Sequence, residues 1–256
     1  MTQLYDDPWL YDLQHDGYRD DLAFYRRLAE DHAGAVLEVG AGTGRVTLAL
    51  AATGLAVVAL EPHDAMRARA RARLERAAER DPSLLQRVRL VAGDVRTLDL
   101  GERFALVLAP FNTLMHLERL DDQDAALSRA AAHLAPGGAF ACDVFVPRFG
   151  ADAVVRSEAL WSGLAGSGGD LFVWQHHDPV AQVVISHHRL DQVGDDGVLR
   201  RRSAMLRQRY YQRFELERAL RRAGFDDVRC YGDFDRGPVR EASDVWAFVA
   251  RRRDGA

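Results

Sequence analysis

Lysine is absent from these 256 residues, and all 34 basic side chains are arginine. That excludes Schiff-base chemistry and any phosphate loop built around a lysine. Cysteine is scarce. Cys142 and Cys230 are too few for a disulfide framework or a multi-cysteine metal site, and both fall in apolar runs of strand type, where buried free thiols are expected. Isoleucine and asparagine occur once each, as Ile185 and Asn112, so a lone asparagine in an otherwise biased composition draws the eye. No eighteen consecutive apolar residues occur, and the start Met1-Thr2-Gln3-Leu4-Tyr5-Asp6-Asp7 has no basic stretch followed by an apolar one, so a cytoplasmic protein without membrane contact is expected. Net charge is −4 with a pI near 6.1, which provides no positive field for nucleic acid. With 48% hydrophobic and 28% charged residues, the chain is rich enough in apolar side chains for one large α/β core.

From 35 to 145, short apolar runs alternate with longer Ala/Arg/Leu stretches of helical period, the pattern of a parallel sheet with crossover helices. The strands fall at Ala35–Val39, Ala56–Leu60, Val88–Ala92, Phe104–Ala109 and Ala139–Phe145. A helix is expected over Asp121–Leu134, opened by acidic residues and stopped by Pro136-Gly137-Gly138. The Arg-rich stretch Ala65–Arg80 reads as a solvated helix face with internal ion pairs. Ahead of this core, Tyr5, Trp9, Tyr11, His15, Tyr18, Phe24 and Tyr25 are too many aromatics for a disordered tail and predict a helical cap. Behind it, 150–169 is Gly, Ala and Ser rich and reads as a loop or short helix, and Leu171–Tyr211 alternates around Gly194-Asp195-Asp196-Gly197 as a β-hairpin. A helix at Phe214–Ala223 and strands at Val228–Gly232 and Val245–Arg251 complete the chain. No repeat or linker divides it, so a single domain is expected over 1–256: cap 1–34, core 35–145, inserted loop and hairpin lid 146–212, and C-terminal helix and strands 213–256.

The sharpest signal is Val36-Leu37-Glu38-Val39-Gly40-Ala41-Gly42-Thr43-Gly44-Arg45, an apolar strand running into three alternate glycines and a helix. Glycines there allow positive φ and close approach of a ligand to the main chain. A dinucleotide fingerprint needs G-x-G-x-x-G, but Arg45 occupies the last required position. The second strand ends in Glu61, seventeen residues after Gly44, where a carboxylate can accept from two ribose hydroxyls.

These residues resemble the class I S-adenosylmethionine-dependent methyltransferases of the small-molecule type, over roughly 35–145 and 214–251. The resemblance implies a Rossmann-like, doubly wound, mostly parallel seven-stranded sheet whose last strand is antiparallel, with the hairpin and cap as additions. It implies S-adenosyl-L-methionine as cofactor, with Glu38 at its amino-acid end, Gly40, Gly42 and Gly44 beneath it, Glu61 and Pro62 at the ribose, and Asp94 and Val95 in Ala92-Gly93-Asp94-Val95 at the adenine. Met66 resembles a residue on the adenine face, Ala109 ends the fourth strand beside the site, and Leu134-Ala135-Pro136-Gly137-Gly138 is similar to the family's lead into the fifth strand.

The segment Pro110-Phe111-Asn112-Thr113-Leu114-Met115-His116-Leu117 follows the fourth strand and faces the transferred methyl. Asn112 and His116, four apart, share a face if the turn is helical; together with Tyr18, which resembles a cofactor-reaching tyrosine, they are the catalytic candidates. Transfer from a sulfonium is an in-line displacement, so positioning in a dry cavity dominates and no metal is required. A hydroxyl acceptor needs a base, and His116, His15, His187 and His188 have suitable intrinsic pKa values. Adjacent His176-His177 and His187-His188 point to opposite strand faces and ligate no single ion. The expected function is methyl transfer to nitrogen or oxygen of a small metabolite or natural product, with no nucleic-acid or membrane partner and with dimerisation left open. The alternatives are an inactive cofactor-binding regulatory protein and an NAD-dependent oxidoreductase.

Overall fold

A computed structural model describes residues 2–147, 157–162 and 169–252. In chain order the elements are β1 (Thr2–Gln3), α1 (Pro8–His15), α2 (Asp20–Asp31), β2 (Val36–Val39), α3 (Arg45–Ala51), β3 (Val57–Glu61), α4 (Asp64–Ala78), α5 (Leu84–Arg87) and β4 (Val88–Ala92). Then follow β5 (Phe104–Ala109), α6 (Leu120–Ala132), β6 (Leu134–Phe145), β7 (Ser157–Ser162), β8 (Gly169–Asp178), β9 (Val183–Val193), β10 (Leu199–Arg209), α7 (Arg213–Arg222), β11 (Phe225–Gly232) and β12 (Val245–Arg252).

Seven strands form the main sheet in the order β11-β12-β6-β5-β2-β3-β4. Only the last strand, β12, runs against its neighbours, as the family resemblance implies. All four residues of β2 and all five of β3 are buried, because a parallel sheet is covered on both faces and its strands read as unbroken apolar runs. One face packs Leu37, Val107 and Phe140 against Leu127 of α6 and Leu216 and Leu220 of α7. The other packs Val36, Leu106 and Ala141 against Phe24, Tyr25 and Leu28 of α2, Val46 and Leu50 of α3, and Leu74 of α4. Strand order reverses between β2 and β5, and an open α/β sheet leaves a crevice beyond the carboxyl ends at that point.

The insertion is larger than a hairpin. Strands β8, β9 and β10 are antiparallel and ten or eleven residues long, and they sit in a five-stranded sheet of order β1-β10-β9-β8-β7. The Gly194–Gly197 turn joins β9 to β10 as read from sequence, but β1 pairs with β10 through Thr2↔Ala204 and Gln3↔Met205. Pairing between residues some two hundred positions apart leaves no local pattern, so the sequence reading stopped at the hairpin. Within the 150–169 stretch, Ser157–Ser162 is a strand and not a loop or helix; the rest of that reading falls on 150–156 and 163–168, outside the described residues, save Gly169, which opens β8. Leu4 and Leu10 of the cap meet Leu171, Leu190 and Ala204 of the smaller sheet in a third core.

The arginines of α4 were expected to pair within their own helix. Arg67 does, with Asp64, but Arg69 and Arg73 reach Asp12 at 2.6 and 3.1 Å, and Arg73 also reaches Asp16 at 2.6 Å. The aromatic cap needs anchors on the core, and half-buried guanidinium groups on α4 supply them with bidentate reach.

Candidate active site

The chain leaves β2 through a turn whose three glycines all have positive φ, +71° at Gly40, +57° at Gly42 and +81° at Gly44. Two of them also lack room for a side chain: a Cβ on Gly40 would come within 2.7 Å of Thr113 Oγ1, and one on Gly44 within 3.2 Å of Ala70 Cβ. At Gly42 the nearest atoms to such a Cβ would be Met66 Cε and the Tyr11 hydroxyl, each at 3.9 Å, so the main chain lies open to the crevice there.

Glu61 ends β3 and fixes this turn. Its two carboxylate oxygens accept from Gly42 N at 2.8 Å and His63 N at 2.9 Å. Burial raises its pKa, and those two N–H groups draw it back. A carboxylate has about four lone-pair positions, so Glu61 retains capacity toward the crevice that it lines. Glu38, in β2, is 1% exposed and accepts from the Thr47 hydroxyl. Burial pushes its pKa up to about 8, because a charged carboxylate in an apolar strand has no solvent to stabilise it.

Two connected hollows follow the strand ends. The larger, about 390 Å³, is lined by Glu61, Pro62 and His63 after β3, Gly93, Asp94, Val95 and Arg96 after β4, and Phe111, Thr113 and His116 after β5, with Tyr5 and Tyr11 of the cap across them. The smaller, about 20 Å³, lies between Glu38, Thr43 and Arg45 on one side and Tyr11 and His15 on the other. Gly40, Tyr11, Pro110 and Phe111 border both. The sequence candidates Glu38, Gly40, Gly42, Glu61, Pro62, Asp94, Val95 and His116 therefore meet in one crevice. Met66 and Ala109, each 1% exposed, lie in the core beneath it and line neither hollow. Gly44 lies at the start of α3 with no face on either.

The turn after β5 departs from the helical one anticipated. Phe111 and Asn112 hold φ of +55° and +62°, unusual for residues with a Cβ and costly without support. Asp143 supplies the support: its carboxylate accepts from Phe111 N at 2.7 Å and Asn112 N at 3.2 Å, and from the Tyr25 hydroxyl. The Asn112 side-chain oxygen accepts from Phe145 N at 2.7 Å. Asn112 thus ties the turn to β6 and does not face the crevice with His116. Thr113–His116 is a single 3-10 turn, too short to stack residues four apart.

His116 Nε2 lies 2.6 Å from the Tyr5 hydroxyl, and burial lowers its pKa to about 4. Tyr5 also packs on Tyr11 and His63, with ring centroids 5.9 and 5.1 Å apart. Tyr18 borders neither hollow; its ring rests on Phe111 at 5.4 Å, and its carbonyl accepts from Arg45 at 3.1 Å. Asp94 borders the crevice but is gripped by Arg96, whose Nε donates to both its oxygens at 2.9 and 3.0 Å. Sequence reasoning singled out neither Tyr5 nor Arg96. The aromatic density of residues 5–25 was a signal that the cap covers something, though not of which ring reaches where.

Residues 36–138 match a family model described as a methyltransferase domain. A dTDP-3-amino-3,6-dideoxy-α-D-glucopyranose N,N-dimethyltransferase of Streptomyces fradiae is 37% identical over 136 residues, 50% of this chain and 49% of that protein. This chain therefore matches about half the length of that relative. Over nearly the whole length, the CcbJ methyltransferase from Streptomyces caelestis is similar with a TM-score of 0.82 and 28% identity, covering 98% of both chains. S-adenosylmethionine-bound CalS10, an amino pentose methyltransferase of Micromonospora echinaspora involved in calicheamicin biosynthesis, has a TM-score of 0.73 and 27% identity over 98% of both chains.

Proposed function

We propose that this chain is a class I S-adenosylmethionine-dependent methyltransferase that methylates an amine nitrogen of a small natural product, an aminodeoxysugar foremost. The observation that carries the reading is the crevice itself. It runs from Glu38 and Gly40 at one end to Asp94 and Val95 at the other, passing Glu61, and at Gly42, where no atom would come closer than 3.9 Å to a Cβ, the bare main chain lies open to a ligand. These residues fit an elongated cofactor with a polar end, a diol and a heterocycle. Glu38 and the Gly40–Gly44 turn would hold the amino-acid end, Glu61 the ribose, and Asp94 and Val95 the adenine.

When bound, S-adenosylmethionine supplies an electrophilic methyl on a sulfonium. The residues of this chain then position the two reactants and exclude water. Tyr5, Tyr11 and Phe111 wall the crevice with aromatic faces, which attract a cation and suit a nitrogen that becomes positive as it gains a methyl. His116 presents a neutral ring held by Tyr5 and shapes the wall. Orientation of this kind accounts for much of the barrier in a displacement between two bound reactants. The activities of the relatives, an N,N-dimethyltransferase of an aminodeoxysugar nucleotide and an amino pentose methyltransferase, support nitrogen over oxygen.

The test is incubation of the protein with S-adenosylmethionine and, separately, dTDP-3-amino-3,6-dideoxy-α-D-glucopyranose, its 3-hydroxy counterpart and a short peptide with a free amino terminus, read by mass spectrometry. Gain of one or two methyl groups on the aminosugar is expected. Methylation confined to the hydroxy sugar, or none on any amine, overturns the reading.

A further inference from the structure

Phe111 is poorly suited to its own backbone. It holds a φ of +55° in a turn whose next residue, Asn112, holds +62°; asparagine tolerates the left-handed region, whereas a bulky aromatic side chain does not. Strain of this kind persists only where the surroundings impose it. Here one group imposes it on both residues. The Asp143 carboxylate, 2% exposed, accepts from Phe111 N at 2.7 Å with one oxygen and from Asn112 N at 3.2 Å with the other, and the first oxygen also accepts from the Tyr25 hydroxyl. A protonated Asp143 cannot serve all three donors, because one oxygen then carries a hydrogen of its own and the other is a weaker acceptor. The two N–H groups would lose the partner that offsets the left-handed strain.

The ring that this backbone carries stands at the junction of the two hollows, since Phe111 borders each. It packs on His15 at 5.2 Å and Tyr18 at 5.4 Å, with the Arg45 guanidinium 5.1 Å from its centroid. With the amino-acid end of the cofactor in the smaller hollow and its ribose in the larger, the sulfur that links them falls at this junction. The titratable groups facing Asp143 are the Tyr25 hydroxyl and Asp21 carboxylate of α2, the Tyr18 hydroxyl of the cap and the Cys142 thiol beside it on β6; β12 opposes it with the uncharged Ala247. Burial keeps the two tyrosines and the thiol protonated through neutrality, and Asp21 is engaged by Arg45. Burial raises Asp143 itself to about 6, within reach of mild acid.

Resting on the amine reading above, we propose that ionised Asp143 is a positioning residue for methyl transfer, holding the Phe111 ring where cofactor sulfur and acceptor nitrogen meet, and that its protonation releases the ring and slows the reaction. Neither reactant touches Asp143, which acts through the two N–H groups of the turn. The carboxylate thereby sets how well the reactants are aligned, the quantity to which a displacement between two bound partners is most sensitive.

The experiment measures kcat from about pH 5 to 8, at saturating S-adenosylmethionine and dTDP-3-amino-3,6-dideoxy-α-D-glucopyranose, for wild type, Asp143→Asn, Phe111→Ala and the double variant. Asp143→Asn keeps the side-chain shape and one acceptor oxygen, and should turn over about tenfold more slowly at about pH 7.5. The ratio of wild type to Asp143→Asn should fall toward one as pH drops through about 6; ionisation of the amine cancels in that ratio. In the Phe111→Ala background, Asp143→Asn should cost less than about twofold, because the ring it would misplace is gone. In the unliganded wild type, the backbone amide proton resonances of Phe111 and Asn112 should move upfield together with a midpoint near 6, and in Asp143→Asn they should stay still. A ratio constant with pH, additive losses in the double variant, or amides that do not titrate overturns the proposal while leaving amine methylation intact. Absence of any methylated amine overturns the amine reading, and the amides, observed with no acceptor present, then decide alone whether Asp143 governs the turn.

Discussion

His116 was read from sequence as a base with an ordinary pKa, and its surroundings alter that expectation. Burial holds it near 4, so the ring is neutral at every pH above about 5 and its protonation cannot shape the rate near neutrality. Its Nε2 is already engaged by Tyr5. In single-turnover assays at saturating cofactor, His116→Ala should lose about ten- to a hundredfold through misplacement of the acceptor, and Tyr5→Phe a smaller part of the same loss. Rates of all three proteins should run parallel from pH 5.5 to 8.5. A limb near pH 6.5 that His116→Ala removes would restore His116 as a general base. Glu38 and Glu61 were legible because each sits within a few residues of a strand end beside the glycines, a separation that local geometry preserves. Asn112 was misread because its direction depends on Phe145 and Asp143, more than thirty residues away.

Two helices show how elements are held over the crevice. Arg45, at the start of α3, donates to both oxygens of Asp21 in α2 at 2.7 and 2.6 Å, and Asp21 is fully buried. The same guanidinium lies over the rings of Tyr18 and Phe111 at 5.4 and 5.1 Å, so one arginine joins the cap, the glycine turn and the crevice wall. Arg45→Met strands a carboxylate in the interior and should cost about 3 to 5 kcal/mol in urea unfolding, whereas Arg45→Met with Asp21→Asn should recover most of that. A cost under about 1 kcal/mol for the single change would mean that the pair does not hold the cap. From the sequence, Arg45 served only to argue against a dinucleotide site; its partner twenty-four residues back was invisible, since neither helical period nor glycine spacing specifies which helix lies alongside.

Across the whole molecule, buried titratable groups make stability depend on pH in a direction that can be worked out. Glu38 keeps its proton to about pH 8 when folded and loses it near 4.5 when unfolded, so between those values the folded state binds the extra proton and stability falls as pH rises. Asp143, raised to about 6 by burial, adds to this only at lower pH. His15, His116 and His188, each lowered to about 4 by burial, act oppositely: the unfolded chain binds their protons first, and stability falls as pH drops below about 6.5. From pH 6.5 to 8 Glu38 therefore governs, and the unfolding free energy of the unliganded protein, from urea titrations, should decline by about 1.4 kcal/mol per pH unit at most, with Glu38→Gln flat over the same range. A flat wild-type profile would mean that Glu38 is ionised in the folded protein. Alternating apolar runs, helical period, three alternate glycines and a carboxylate at each of two strand ends determined the doubly wound sheet and the line of the crevice, because each of these is settled among neighbours in the chain. Which ring meets which base, where Asn112 points, how a two-residue N-terminal strand completes a second sheet, and how far each buried acid or imidazole is displaced from its ordinary pKa were decided only by tertiary contact, since burial and partnership are properties of what the folded chain brings together across large separations.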